Sequence, residues 1–273
     1  MVSSVPLTPE DSVLCTGTIA GVGLSDKVRA AATAGFRALS VRPREYQAWL
    51  DEGWRPKDVR TFFDDHGVAV AELDPVMSWL PGASPDPRNA YSIDEILRIA
   101  EVLQPDCLSV LVDPSYRGSI DEAIAPFAEL CVKAAGEGHR CAIEFFAWSP
   151  VRTLRDAWRI VHEAAQPNGA LIFDTWHHFR VGGAAGDLDD VDARRIVGVQ
   201  LSDAPIVPTI ADVARECMAG RLWPGEGDAD VAGTVRHLRA RGCAAALGVE
   251  VFGPGDPVER AHRAAAALAG LSR

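Results

Sequence analysis

Eight short apolar segments, separated by sequence with helical periodicity, constrain the fold of this 273-residue chain more than any other feature. The segments are continuously apolar and do not alternate, which indicates strands buried on both faces, as in a parallel sheet covered by helices. The predicted strands occupy residues 13–19, 38–42, 68–74, 107–113, 140–145, 171–174, 196–201 and 245–251. Helices are predicted near residues 25–36, 56–66, 93–103, 120–135, 151–165, 210–218, 230–241 and 257–268.

The number of strand–helix units points to one closed architecture. Eight units in about 250 residues is the number that a (β/α)8 TIM barrel requires. A doubly wound open sheet is the alternative, but the first strand is not followed by Gly-x-Gly-x-x-Gly, and no Walker lysine motif is present. Because the sequence has no interdomain linker or low-complexity tract, we predict an α/β fold in which residues 1–273 form a single TIM barrel domain.

Composition and charge narrow the class of protein. The formal net charge of −11 argues against nucleic acid or an anionic membrane as a partner. No apolar run approaches the roughly 20 residues needed to cross a bilayer, and Met1–Pro6 lacks the basic and apolar regions of a signal peptide. We therefore expect a cytoplasmic protein. The cysteines form no Cys-x-x-Cys pair and are expected to be reduced core residues: Cys15, Cys107, Cys131, Cys141, Cys217 and Cys243.

Four consecutive predicted strands carry an acidic or amide side chain near the carboxyl end. Glu144 belongs to the fifth strand, Asp174 to the sixth, Gln200 to the seventh and Glu250 to the eighth. The carboxyl ends of barrel strands meet at one mouth, and buried charges of one sign need a compensating cation. Because no lysine lies in these strands, we predict a divalent metal site. The alternative is that each carboxylate caps a helix or pairs with an arginine.

Histidine and tryptophan side chains flank these strand ends. His177 and His178 are adjacent and follow Asp174. Trp148 and Trp176 come shortly after the fifth and sixth strands, so we predict that they form walls of a substrate pocket. Packing between barrel and helices is the commoner role of tryptophan and is the alternative for both.

The strand-end pattern resembles the sugar phosphate isomerase/epimerase-like family, the xylose isomerase-like TIM barrels. The resemblance covers most of the chain and implies that Glu144, Asp174, Gln200 and Glu250 bind one divalent cation. It also implies a small-molecule polyhydroxy substrate, and dimers are common in this family, so a homodimer is expected.

The same resemblance assigns substrate contacts. His177 stands in an Asp-x-x-His motif whose histidine binds substrate near the metal in that family. The sequence Arg-Leu-Trp-Pro-Gly-Glu-Gly at residues 221–227 resembles the family's Arg-x-x-Pro-Gly-x-Gly loop, whose arginine, here Arg221, reaches substrate. For His178 the resemblance implies no role. Because His178 follows the sixth strand next to His177, it is a candidate acid or substrate contact. The alternative is that it only packs against its neighbours.

Gln200 departs from many epimerases of this family, which have histidine there. Glutamine followed by Asp203-Ala204 resembles the 3-dehydroshikimate dehydratase branch more closely. An amide oxygen would complete an all-oxygen site, which favours Mn²⁺ or Mg²⁺ over Co²⁺ or Zn²⁺.

The predicted chemistry is proton transfer next to a ketone. The metal would stabilise an enediolate of a sugar, sugar phosphate or related polyhydroxy ketone. With Glu144 and Glu250 as two bases, the result is isomerisation or epimerisation. With one base and an acid such as His177 or His178, it is dehydration by a lyase. A barrel that binds a metabolite without turnover is the third reading.

Overall fold

Eight parallel strands close into a barrel in the computed structural model, which describes residues 7–271. Each strand pairs with its sequence neighbours, and β1 pairs with β8. This confirms the predicted (β/α)8 TIM barrel and rules out the open doubly wound sheet for the described residues. The strands are β1 (Ser12–Leu14), β2 (Ala38–Val41), β3 (Ala69–Val76), β4 (Cys107–Leu111), β5 (Cys141–Glu144), β6 (Gly169–Asp174), β7 (Ile196–Leu201) and β8 (Ala246–Val249).

The helices surround the barrel and bury their apolar faces against it. Their bounds are α1 (Leu24–Thr33), α2 (Pro43–Asp51), α3 (Pro56–Asp65), α4 (Ile93–Leu103), α5 (Ile120–Ala135), α6 (Leu154–Ala164), α7 (Thr175–Arg180), α8 (Val213–Ala219), α9 (Val231–Ala240) and α10 (Pro257–Leu271). Ser92 and Ser119 cap α4 and α5, each with a glutamate three residues later that completes a capping box.

Three local predictions from the sequence were wrong or incomplete. The first strand is short, because Thr16–Ile19 forms a 3₁₀ helix instead of continuing it. Helix α2 was missed, although Pro43 at its first turn is a regular helix start. Helix α7 was also missed, because its aromatic and β-branched residues are typical of a strand. The strand ends at Asp174 because the Asp174 side chain caps the helix that follows.

The register of the strands determines how far along the barrel axis the candidate site lies. Glu144 on β5 aligns with Leu111 on β4, and Asp174 on β6 aligns with Gln200 on β7. The Glu250 amide, just beyond β8, donates to the Leu201 carbonyl at 3.0 Å. The side chains at these positions therefore meet at the carboxyl end of the barrel.

The six cysteines are buried and free, which confirms that they are core thiols. None of the helices within residues 7–271 has the length and apolar character to span a membrane. Residues 1–6, on which the signal-peptide expectation was based, lie outside the described residues.

Candidate active site

A cavity of about 260 Å³ opens at the carboxyl ends of the strands. Its volume suits one small molecule. Five residues singled out from the sequence line it: Glu144, Trp148, His177, Arg221 and Glu250. The barrel therefore brings together side chains from four separate segments of the chain at one site.

Asp174 lies at the centre of the hydrogen bonds beneath this cavity. Its side chain is fully buried, and Oδ1 accepts from the backbone amides of Trp176 at 2.7 Å and His177 at 3.0 Å. These bonds cap α7 and turn the chain so that His177 faces back toward β5, where Nδ1 accepts from the Ala147 amide at 3.4 Å. The other oxygen, Oδ2, remains directed at the site.

Arg221 is the cation nearest to these carboxylates. Its Nη1 lies 2.7 Å from Oδ2 of Asp174, and its Nη2 lies 3.3 Å from Oε2 of Glu250. The guanidinium carbon stands 5.2 Å from the Trp176 ring centroid and 5.3 Å from that of Phe252, so two aromatic faces hold it. Pairing with an arginine, the alternative to a metal, thus occurs for two of the four predicted ligands. Arg221 also lines the cavity, within reach of a substrate.

The unpaired Glu144 and the groups around it fit a divalent cation. No arginine or lysine pairs with Glu144 within residues 7–271, and its Oε2 accepts only from the Ser109 hydroxyl, at 3.4 Å. One ligand atom each from Glu144, Asp174 and His177 lies within 4.8 Å of the others. The buried Oε1 of Gln200 has no hydrogen-bond partner among the described residues, and a buried acceptor without a donor is what a cation would satisfy. The structure thus adds His177 as a candidate ligand, although its Nε2 lies 3.2 Å from Nη2 of Arg221, so a cation bound there would have to displace that guanidinium contact.

Burial and like charge raise the pKa values of two of these carboxyl groups. Burial, followed by the charges of neighbouring carboxylates, holds the pKa of Glu144 well above its usual value. Burial raises the pKa of Glu250 to about 7, although Arg221 opposes the change. Burial would raise the pKa of Asp174 as well, but the charge of Arg221 and the hydrogen bonds from Arg221 and the His177 amide hold it below its usual value. Arg221 pairs with two of these carboxylates, and the charge of Arg42 also lowers the pKa of Glu250, but neither arginine pairs with Glu144. A divalent cation would supply positive charge there.

The other predicted pocket residues occupy different positions. Trp148 is half-buried and lines the cavity, with its ring centroid 5.4 Å from that of His177. Trp176 is fully buried behind Arg221 and His177 and does not line the cavity. His178 packs against Phe173, with a centroid distance of 5.0 Å, and its Nε2 lies 3.0 Å from the Ala184 carbonyl. Trp176 and His178 thus support the site from behind, which differs from the predicted substrate contact.

Several site residues were not identified from the sequence. Glu72 on β3 is buried, its Oε2 accepts from Nε2 of Gln200 at 3.0 Å, and burial raises its pKa to about 8. Asp74 and Arg42 also border the site, and they are the last residues of the predicted third and second strands. The strand-end rule that identified Glu144 would have found both, whereas Glu72 lies within its strand and had no such signal.

Asp203 holds the loop that carries Arg221. The Asp203 carboxylate accepts from the backbone amides of Gly225 at 3.0 Å and Ala229 at 2.9 Å. A Cβ atom on Gly227 would lie 2.6 Å from the Ala204 carbonyl oxygen, which explains the second glycine of the Pro-Gly-x-Gly sequence.

Replacing Gly227 by alanine should therefore destabilise the protein by about 1–3 kcal/mol, because backbone must shift to admit the methyl group. Urea unfolding of G227A would measure the change. The matched control is G186A, where an added Cβ meets nothing within 4 Å. Equal stability of the two variants would contradict the role assigned to the close approach.

The closed barrel and the carboxylates at its mouth define a TIM-barrel protein with a candidate metal centre. A sequence model of the xylose isomerase-like TIM barrel family matches residues 28–271, and the chain belongs to this family.

Relatives within reach of sequence comparison are enzymes of more than one reaction class. The chain is 28% identical over 247 residues to a 3-dehydroshikimate dehydratase of Pseudomonas aeruginosa, covering 89% of this chain but only 38% of that protein's length. It is 28% identical over 134 residues to an inosose isomerase of Bacillus licheniformis, covering 48% of this chain and 47% of that protein. Among solved structures, the IOLI protein with a binding zinc atom has a TM-score of 0.84 at 17% identity, over 96% of this chain and 97% of that chain. This last likeness shows the fold.

Proposed function

We propose that this protein is a divalent-metal-dependent isomerase or epimerase that moves a proton next to the ketone of a polyhydroxylated substrate. The observation that carries the proposal is the presence of two buried carboxylates, Glu144 and Glu250, in the wall of one small cavity. Two bases that reach the same substrate can remove a proton from one position and return it at another. The name of the matched inosose isomerase supports this reaction class.

The candidate cation site lies among Glu144, Asp174, His177, Gln200 and Glu250. A divalent cation bound there would polarise the substrate ketone as a Lewis acid. The oxygen-rich donor set favours Mn²⁺ or Mg²⁺, while a histidine ligand would make Zn²⁺ or Co²⁺ more competitive.

The chain's own side chains position the substrate and handle the proton. Arg221 lines the cavity and is held by Asp174 and Glu250, so a substrate oxygen that replaces one of its present acceptors meets a guanidinium already fixed in place. Trp148 forms one wall of the cavity. His177 is uncharged, because burial lowers its pKa to about 3.

Dehydration is the second candidate function, and two observations favour it. Gln200 stands where many epimerases have histidine, and the dehydratase match covers 89% of this chain. In this reaction one carboxylate removes the proton and a second group protonates the departing hydroxyl. Because the chain spans 38% of that relative's length, the whole relative's activity does not carry over.

A pair of incubations tests these proposals. Protein supplied with Mn²⁺ is incubated in D₂O with inosose, and separately with 3-dehydroshikimate. Deuterium in recovered ketone or its isomer, detected by mass spectrometry, supports the isomerase. A rising aromatic absorbance with 3-dehydroshikimate supports the dehydratase. Metal-dependent binding of either compound with neither outcome would favour a non-catalytic barrel and would refute both enzyme proposals for these substrates.

A further inference from the structure

Two further arginines line the cavity, on the side formed by β2 and away from β6. Arg42 follows β2 and Arg44 lies in the first turn of α2, and both border the cavity. In the closed order of strands β2 lies four strands from β6, which carries Asp174. A substrate held near Asp174 would therefore extend toward the two arginines.

Both guanidinium groups have unused donors. The Arg42 side chain is 14% exposed, and its nearest acidic atom, Oε1 of Glu45, lies 3.6 Å from Nη1, beyond hydrogen-bond distance. Arg44 donates one hydrogen bond, from Nη1 to Oδ1 of Asn89 at 2.9 Å. A guanidinium has about five N–H donors. Within residues 7–271 neither side chain makes another hydrogen bond, so most donors remain free for a ligand.

The nearby carboxylates do not fully balance the two arginines. Glu45 is engaged by the buried Lys27, whose Nζ lies 2.7 Å from Oε1. Asp74 borders the cavity and accepts from the Ser109 hydroxyl at 2.9 Å. Lys27, Arg42 and Arg44 thus outnumber Glu45 and Asp74 beside them. Glu250 in the same cavity feels the charge of Arg42 but pairs with Arg221. The next arginine, Arg88, is paired with Asp86 at 2.8 Å.

The position of the arginines is also unfavourable for folding. Helix α2 begins at Pro43, so both cations stand at the end of the helix that carries partial positive charge. Burial and the charge of Arg42 lower the pKa of Arg44, so its surroundings oppose its charge. A bound anion would relieve both effects.

We propose that Arg42 and Arg44 form an anion subsite that binds a carboxylate or phosphate group of the substrate. The inference rests on the proposed function and defines its substrate class as an anionic polyhydroxy ketone. Two planar guanidinium groups with free donors suit the paired oxygens of such a group. Of the two substrates named by the relatives, 3-dehydroshikimate carries a carboxylate and inosose carries no charge.

Calorimetric titration with matched anionic and neutral ligands tests the subsite separately from turnover. The ligand pairs are shikimate with its methyl ester and ribulose 5-phosphate with ribulose, each added to protein containing Mn²⁺. We expect at least one anion to bind more tightly than its neutral partner. The ligand pair with the larger difference in affinity shows whether the subsite prefers a carboxylate or a phosphate. The affinity for that anion should fall about 10-fold or more in R42Q and in R44Q, the range for hydrogen bonds to charged groups.

The neutral ligands and a matched variant provide the controls. R98Q removes an exposed arginine elsewhere and should leave anion affinity unchanged. Thermal melts should show R42Q and R44Q at least as stable as the wild type, and R44K serves as the conservative variant should R44Q unfold.

The outcomes separate this inference from the proposed function. Anion binding that depends on the arginines, without turnover of any ketone, would support the subsite while the proposed function fails. Anions that bind no better than their neutral partners, or a change of less than about threefold in R42Q/R44Q, would overturn the subsite even if the enzyme is active.

Discussion

Replacing Glu144 or Glu250 by glutamine should lower kcat by about 10²–10⁴-fold, the range for loss of a general acid or base. Each side chain is buried and lines the cavity. Glutamine keeps nearly the same shape, so the cavity persists while its basic group is lost. Steady-state kinetics of E144Q and E250Q, with whichever ketone is turned over, would measure the effect.

The control for this prediction is E129Q, a change at an exposed position on α5. Its kcat should match that of the wild type, and circular dichroism of all three variants should show an intact fold. If E144Q and E250Q both retain full activity, neither carboxylate acts in proton transfer.

Removing divalent metal should abolish activity and lower the thermal stability of the protein. A cation at about 100 times its dissociation constant stabilises the native state by about 2.7 kcal/mol. For a chain of this size, that corresponds to a rise in Tm of about 5 °C. We expect this rise when Mn²⁺ or Mg²⁺ is added back to protein treated with a chelator, as measured by differential scanning fluorimetry.

The variant E144Q serves here as well, because Glu144 is the carboxylate in the cluster that Arg221 does not pair with. Its Tm should respond much less to added metal, whereas that of E129Q should respond as the wild type does. Melting temperatures unchanged by Mg²⁺, Mn²⁺, Co²⁺ and Zn²⁺ would refute the metal centre, and with it the Lewis-acid part of the proposed function.

Much of the barrel could be predicted because its signals are local. Each β-strand is a short run of apolar residues. Helices α4 and α5 begin at Ser-x-x-Glu capping boxes, which can be recognised in the sequence. Helix α7 shows the limit of such signals. The sequence around Trp176 suits a strand, and only the two hydrogen bonds to Asp174 decide the helix.

The position of Arg221 shows what local patterns leave open. The Pro-Gly-x-Gly loop marked this arginine as a substrate residue, but its partner Asp174 is 47 residues away in sequence. Whether a buried carboxylate meets a metal, an arginine or both depends on how the loop after β7 folds back over the barrel. The bonds from Asp203 to Gly225 and Ala229 hold that loop in place.

The sequence by itself determined the barrel, because its eight apolar segments alternate with helices. It also determined that Glu144, Asp174 and Glu250 lie at the same end of the barrel, because each stands at the carboxyl end of its strand. The tertiary structure alone decided which of these groups has a partner. It paired Arg221 with Asp174 and Glu250, left Glu144 and the Gln200 oxygen without a cation among the described residues, and brought Arg42 and Arg44 to the same cavity. The physical reason is that charge balance in a buried site depends on distances of a few ångströms between distant segments, and only the closed barrel sets those distances.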